Sequence, residues 1–223
     1  MIITLDGPAA SGKSSIARLL AQHLGFYYIN TGFLYRALTY CLLHDKKYTD
    51  QTIANPSLND VVDCLSPKHL IYAYDNQEVQ IYFNNVNITT LLKNALIDDY
   101  VCLISPHKEI REQLSHLQRT IAQTHDSVAE GRDVGSVVFP HANHKFYITA
   151  DIKIRAQRWQ KDQEKKGNNY TLQKAQNALE YRDNKDQNRL HSPLIIPKNA
   201  HIIDTTHLSI EEAVQKIITL IKK

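Results

Sequence analysis

The chain has 223 residues, 43% hydrophobic and 22% charged, which places it among globular proteins with a sizeable core in one domain, with room for insertions. A formal net charge of +3, with no block of five like charges, argues against a duplex-binding surface and suits small anionic ligands. Three widely spaced cysteines, Cys41, Cys64 and Cys102, make neither a CxxC pair nor a disulfide framework, so they are expected as small buried hydrophobes in a reducing cytoplasm.

Ile2 to Asp6 reads as a short buried strand, and GKSSIARLLAQHLG (12–25) as a helix with Ile16, Leu19, Leu20 and Leu24 on one face and a stop at Gly25. The N-terminal MIITLDG has no basic stretch leading into an apolar segment, and no run approaches the length of a membrane span, so neither secretion nor membrane association is expected. FYYIN (26–30) is a second strand and TGFLYRALTYCLLHD (31–45) a second helix, with Leu34, Leu38 and Leu42 at helical spacing. HLIYAYDNQEVQIYFNNVNIT (69–89) alternates around the turn signal DNQ and reads as an inserted β-hairpin. Helical patterns follow on either side of Pro106, at 91–104 and 107–125. SVAE (127–130), KFYITA (145–150) and HIID (201–204) are short strands, and two polar amphipathic helices at 152–167 and 171–190 are broken at GNNY. Strands separated by helices imply a parallel sheet covered on both faces.

GPAASGKS (7–14) fits G-x-x-x-x-G-K-[ST] in full, and it falls between a predicted strand and a predicted helix, the context that gives this pattern its meaning. Such a loop wraps its amide groups around a polyphosphate at a helix N-terminus. Gly7, Pro8, Ala9, Ala10, Ser11, Gly12, Lys13, Ser14 and Ser15 are therefore the candidate nucleotide-binding residues; Lys13 reaches the outer phosphates and Ser14 is the candidate magnesium ligand. DNKD (183–186) lacks the intervening residue of a guanine-reading NKxD motif and lies in a polar helix, so a GTP switch is rejected. HANH (141–144) reads as a surface loop, and Trp159 and the tyrosines at 27, 28, 72, 74 and 82 as packing residues.

Arg36, Arg132, Arg155, Arg158, Arg182 and Arg189 all fall where a helix starts or a strand ends. Transfer of a phosphoryl group between two nucleotides requires two polyanions to be held in line while charge spreads over the moving oxygens, and guanidinium groups suit both tasks.

LDGPAASGKSS, NTGFLYRA, EGRDVGSVVFPHA, YRDNKDQNR followed by HSPL, and IIDTTHLSIEEAVQKI occur in an order and spacing that resembles the bacterial cytidylate kinases. The resemblance spans nearly the whole chain. It implies a three-layer α/β fold with a central parallel five-stranded sheet and helices on both faces, plus an inserted acceptor-binding subdomain containing a hairpin, and a short helical lid. The boundaries it implies are a single kinase domain over 1–223, with its core at about 1–30 and 105–223, the insertion at about 31–104 and the lid at about 153–170.

It further implies transfer of the terminal phosphoryl group of ATP to CMP or dCMP, with magnesium. The acceptor would meet Thr31, Arg36, Arg111, Arg132, Asp133, Arg182, Asp186 and Arg189, with Arg36 on its phosphate, Asp133 at the cytosine edge and Asp186 on the sugar hydroxyls. Arg155 and Arg158 match the lid, and together with Lys13, Arg132, Arg182 and Arg189 they form the implied catalytic set. On a helix Arg182, Asp186 and Arg189 fall at i, i+4 and i+7, one face. Two positions depart from the family's pattern: NITT (87–90) puts Thr89 where an arginine is common, and Tyr100 stands where a serine is expected near the base. The expected partners are small nucleotides alone, bound by a cytoplasmic monomer without nucleic acid or membrane. The rival readings are a kinase of the same fold with another small acceptor, such as UMP, AMP or a hydroxyl-bearing metabolite, and an ATP-binding regulatory or nucleic-acid-associated module without transfer activity.

Overall fold

The computed structural model describes residues 1–165 and 167–222. Its centre is β1 (Ile2–Asp6), buried from Ile3 onward. It pairs in parallel with β6 (Ser127–Gly131) on one side and β7 (His144–Thr149) on the other, and β7 pairs in parallel with β8 (His201–Asp204). With β2 (Tyr27–Asn30) the sheet has five strands in the order β2-β6-β1-β7-β8, as expected for the fold. A strand flanked on both sides and covered on both faces has no solvent edge, which is why β6 is buried along its whole length and β1 from Ile3 onward, with no alternation of buried and exposed positions.

The chain divides into two compact units, Met1–Phe26 with Ser127–Lys223, and Tyr27–Asp126. In the first unit, α1 (Lys13–Leu24) buries Ile16, Ala17, Leu20 and Ala21. Leu19 and Leu24, expected on that stripe, are only half-buried, and Ala17 and Ala21 are buried in their place. Gly25 ends the helix in the left-handed conformation (φ 67°). A single π-helical turn, Val134–Val138, follows β6. The polar helices are α6 (Ile152–Glu164) and α7 (Leu172–Asn188), packed on each other; of the stretch read as a lid, Lys166 lies outside the described residues. The final helix, α8 (Ile210–Ile221), starts from a capping box of Ser209 and Glu212 and packs on α1.

In the second unit, α2 (Thr31–His44) begins directly after β2, with the Asn30 side chain accepting the Phe33 N–H at 3.1 Å. Leu34, Leu38 and Leu42 are fully buried in its core. The expected hairpin is β3 (Leu70–Asp75) and β4 (Glu78–Phe83), joined by Asn76 and Gln77 at φ 49° and 65°. Two positive-φ residues give the turn that matches strand twist. Asn84 and Asn85 repeat it (φ 47° and 65°) and lead into a short third strand, β5 (Val86–Asn87), which the sequence reading missed. It also missed the helix α3 (Leu58–Cys64). Helices α4 (Ala95–Ile104) and α5 (Lys108–Ala122) flank Pro106 as expected. Cys41 and Cys64 are buried, but Cys102 is exposed: α4 turns Ile97, Tyr100 and Ile104 inward, and residue 102 falls on the opposite face.

Candidate active site

The loop Gly7–Ser15 leaves β1 and enters α1. At Gly7 a Cβ would stand 2.0 Å from the Ile148 carbonyl oxygen of β7, so only glycine lets the chain turn so close to the neighbouring strand. Ala10 (φ 57°) and Gly12 (φ 89°) take left-handed conformations, and Gly12 brings no side-chain cap to the first amides of α1. That end of the helix therefore keeps its positive character for an anion.

Lys13 is buried, and its Nζ donates to the Pro8 carbonyl at 3.0 Å. Burial, and after it the positive charge of Arg132, pulls its pKa from 10.5 down to about 7; Arg182 acts in the same direction, while Glu130 and Asp186 oppose. Lys13, Arg132 and Arg182 thus lie within electrostatic reach of one another in the first unit. Ser14 Oγ donates to Glu130 Oε1 at 2.8 Å, setting two hard oxygens side by side. Beneath the loop, Asp6 is fully buried, its two oxygens accepting the Val134 and Gly135 N–H groups at 2.7 Å each. Burial raises its pKa from 3.8 to about 7, against the opposing pull of those two amides. A side chain at Gly135 would meet Thr4 Oγ1 at 2.6 Å and Asp6 Oδ2 at 3.0 Å, which accounts for the glycine in GRDVG.

The two arginines assigned to the lid are engaged with the loop itself. Arg155 is buried; it donates to the carbonyls of Ala9 and Ala150, at 3.1 Å each, and forms an ion pair with Asp183 of α7. Asp183 in turn accepts the Ala9 N–H at 3.1 Å. Ala9 packs with Ala156, Ala175 and Leu179, so α6 and α7 grip the tip of the loop. Arg158 donates to the Thr205 carbonyl at 2.7 Å and to Thr205 Oγ1 at 3.0 Å, and Thr205 Oγ1 donates to the Ser11 carbonyl at 3.0 Å.

Around α7 the charges alternate. Arg132 Nε donates to Asp186 Oδ2 at 2.7 Å. Arg189 lies 3.6 Å from Asp186 and 3.8 Å from Asp133, which is buried at the start of the π-helical turn. Burial pushes the Asp186 carboxyl up, but Arg132, Arg189 and Arg182 outweigh it and hold the pKa below the usual value. The helix ends at Asn188, and Arg189 follows as an extended cap, so its approach to Asp186 comes from the end of the helix rather than from an unbroken i+7 repeat. Arg182 is exposed, while its neighbour Asp183 is buried.

The second unit carries the remaining candidates. Thr31 is buried, and its hydroxyl donates to Gln118 Oε1 at 3.1 Å. Arg111 is buried, donates to the Ser105 carbonyl at 2.8 Å and lies over the Tyr35 ring at 5.5 Å. Arg36 pairs with Asp98 of α4. The two departures from the family pattern serve internal bonds: Thr89 Oγ1 accepts the Ile81 N–H at 2.8 Å, and Tyr100 donates its hydroxyl proton to Asp50. Glu130, Asp183, Thr205 and Asp98 were not singled out from the sequence. The first three lie inside or beside the quoted motifs, but nothing in a linear pattern separates them from solvated neighbours.

The fold and this loop define a phosphate-loop α/β protein. Among solved structures, a shikimate kinase from Acinetobacter baumannii, in complex with shikimate, superposes with a TM-score of 0.51 at 14% identity over 99% of this chain and 92% of that one. An uncharacterized protein from Eubacterium ventriosum gives 0.55 at 13% identity over 100% and 99%. These likenesses describe the fold alone.

The sequence narrows the class further. The family model for cytidylate kinase matches residues 3–223. The cytidylate kinase of Halalkalibacterium halodurans is 36% identical over 100% of this chain and 98% of its own length, and that of Listeria innocua 35% identical over 98% and 94%. The chain belongs to the cytidylate kinase family.

Proposed function

We propose that the protein transfers the terminal phosphoryl group of ATP to CMP or dCMP, giving ADP and the corresponding diphosphate. It is a nucleoside monophosphate kinase. The observation that carries the reading on the structural side is the geometry of Gly7–Ser15: Gly7 turns the chain against β7, the first amides of α1 are left without a side-chain cap, and buried Lys13 folds back onto the Pro8 carbonyl. A buried lysine beside uncapped helix amides is the arrangement that takes a phosphate.

In the proposed mechanism, Gly7–Ser15 holds the donor phosphates with backbone amides and Lys13, and Arg132, Arg182 and Arg189 neutralise charge as it spreads over the transferring oxygens. The acceptor phosphate is already anionic and nucleophilic, so no general base and no covalent enzyme intermediate are needed. Arg36 takes the acceptor phosphate. Thr31, Arg111 and Asp133 take the rest of the nucleotide, Asp133 accepting from the cytosine amino group, where uracil presents an acceptor instead. Asp186, kept ionised by its arginines, suits the sugar hydroxyls. The Ser14 hydroxyl and the Glu130 carboxylate, 2.8 Å apart, are oxygen donors of the kind magnesium prefers, and the ion would supply charge neutralisation on the phosphates. Arg158, held to Thr205 and the Ser11 carbonyl, and Arg155, held to Ala9, keep the loop in shape from α6, the segment proposed as a lid.

The proposed reading is of a monomer acting on small nucleotides. The exposed Cys102 thiol and ATP as donor support a cytoplasmic setting. Among the described residues, no helix is long and apolar enough to cross a membrane.

The test is a coupled ADP assay over CMP, dCMP, UMP and AMP at saturating ATP and magnesium. The expected result is turnover with CMP and dCMP far above the others, and Asp133→Ala should raise the UMP-to-CMP activity ratio. Preference for UMP or AMP in the wild-type protein would overturn the acceptor assignment.

A further inference from the structure

Arg36 sits in the second turn of α2, over Gly32, where an added Cβ would come within 2.8 Å of its Nη1. Its Nε donates to Asp98 Oδ1 at 2.8 Å, and its Nη2 stands 2.6 Å from the same oxygen. Asp98 lies in the first turn of α4, where Asn94 caps the helix by accepting the Ile97 N–H at 2.9 Å, and where Ile97 and Tyr100 face the core. The carboxylate is held on a rigid element and aimed at the Nε–Nη2 edge of the guanidinium. That edge is also the one with the geometry to take a phosphate.

We propose that Asp98 is an affinity-setting residue for the acceptor: an internal carboxylate that occupies Arg36 and competes with the phosphate of the incoming monophosphate. The inference rests on the reading of Arg36 as the acceptor-phosphate residue. A phosphate arriving at this edge must displace a carboxylate already there and then endure a like charge close by, and both effects weaken binding without touching the transfer step. The guanidinium and the carboxylate are both partly exposed, with side-chain accessibilities of 24% and 37%, so the pair is loose enough to exchange partners. A dianionic phosphate outcompetes one carboxylate for the fork, whereas a nucleoside or a weakly charged ligand does not, so the contact also raises the charge a ligand needs in order to bind.

The experiment compares wild type, Asp98→Asn, Arg36→Gln and the double variant, measuring CMP binding by titration calorimetry and steady-state kinetics at saturating ATP. Asp98→Asn is expected to lower both the Kd and KM for CMP by about threefold to tenfold, with kcat within about twofold and the KM for ATP unchanged. In the Arg36→Gln background the same substitution is expected to do nothing, because the group competed for is gone. An unchanged or raised KM in Asp98→Asn, while Arg36→Gln still weakens CMP binding, overturns the competition and leaves the role of Arg36 standing. If Arg36→Gln leaves CMP binding intact, the assignment of Arg36 itself fails, and the competition with it. Asp98→Ala provides a second variant, with the same expectation, in case the asparagine forms a new bond to Arg36.

Discussion

Asp183 of α7 accepts the N–H of Ala9 at 3.1 Å, so a residue 174 positions further along the chain holds the backbone of the phosphate loop. The same carboxylate pairs with Arg155, which donates to the Ala9 carbonyl, and one residue of the loop is thereby gripped at both its donor and its acceptor. Asp183→Ala should strand a buried guanidinium and a buried amide together. The expected loss is about 3–5 kcal/mol of folding stability, read as a lowered midpoint in urea unfolding. Arg155→Met in the same protein should recover part of that loss, since it removes the unpaired charge.

At Gly7 the obstacle to a side chain is the Ile148 carbonyl, part of the sheet rather than a movable side-chain end. Gly7→Ala is therefore expected to cost at least about 1–3 kcal/mol as the loop is pushed off β7. ATP binding should weaken along with the lowered melting temperature. Normal nucleotide affinity in this variant would show that the loop tolerates the shift.

Two buried groups shape the pH dependence of the ligand-free protein in opposite directions. Asp6, raised from 3.8 to about 7, holds its proton in the folded state where the unfolded chain has lost it, so its contribution is lost as pH rises from about 4 through 7. Lys13, lowered from 10.5 to about 7, is neutral in the folded state where the unfolded chain is still charged, so its contribution returns between about 7 and 10.5. Urea midpoints measured against pH should flatten over the acid limb in Asp6→Asn and over the alkaline limb in Lys13→Met. Unaltered slopes in both variants would remove this assignment.

Polyphosphate beside Lys13 should restore its charge. At pH 8 the free protein holds Lys13 largely neutral, so ATP binding is expected to take up a proton, up to about one per site. Calorimetric enthalpies in buffers of different ionisation heat measure this uptake directly, and Lys13→Met should abolish it.

The arginine array makes a kinetic prediction. Arg182→Ala, at an exposed position on α7, should leave the melting temperature near that of wild type and lower kcat/KM by about a hundredfold or more, the usual scale for losing a charge-assisted contact to a reacting phosphate. A loss below tenfold would remove Arg182 from the transferring site.

The phosphate loop was legible because its chemistry is local: glycines, lysine and serine must follow one another within eight residues to wrap a phosphate, and a strand and a helix must bracket them. The hairpin at 69–89 and the leucine stripe of α2 were legible for a similar reason, since turn chemistry and periodicity are properties of neighbours in sequence. What no local pattern carries is which polar residue turns inward. Of the adjacent pair Arg182 and Asp183, only the packing of α7 on α6 decides that the aspartate is buried against Ala9 while the arginine stays exposed. On α1, too, hydrophobicity alone did not pick the inner face: Ala17 and Ala21 are buried where Leu19 and Leu24 are not. The chain by itself determined the loop, the strand-helix order and the residue types the chemistry requires. Tertiary structure alone decided their pairings, Asp183 with Ala9 and Asp98 with Arg36, because a hydrogen bond depends on distance in space and leaves no period in the sequence.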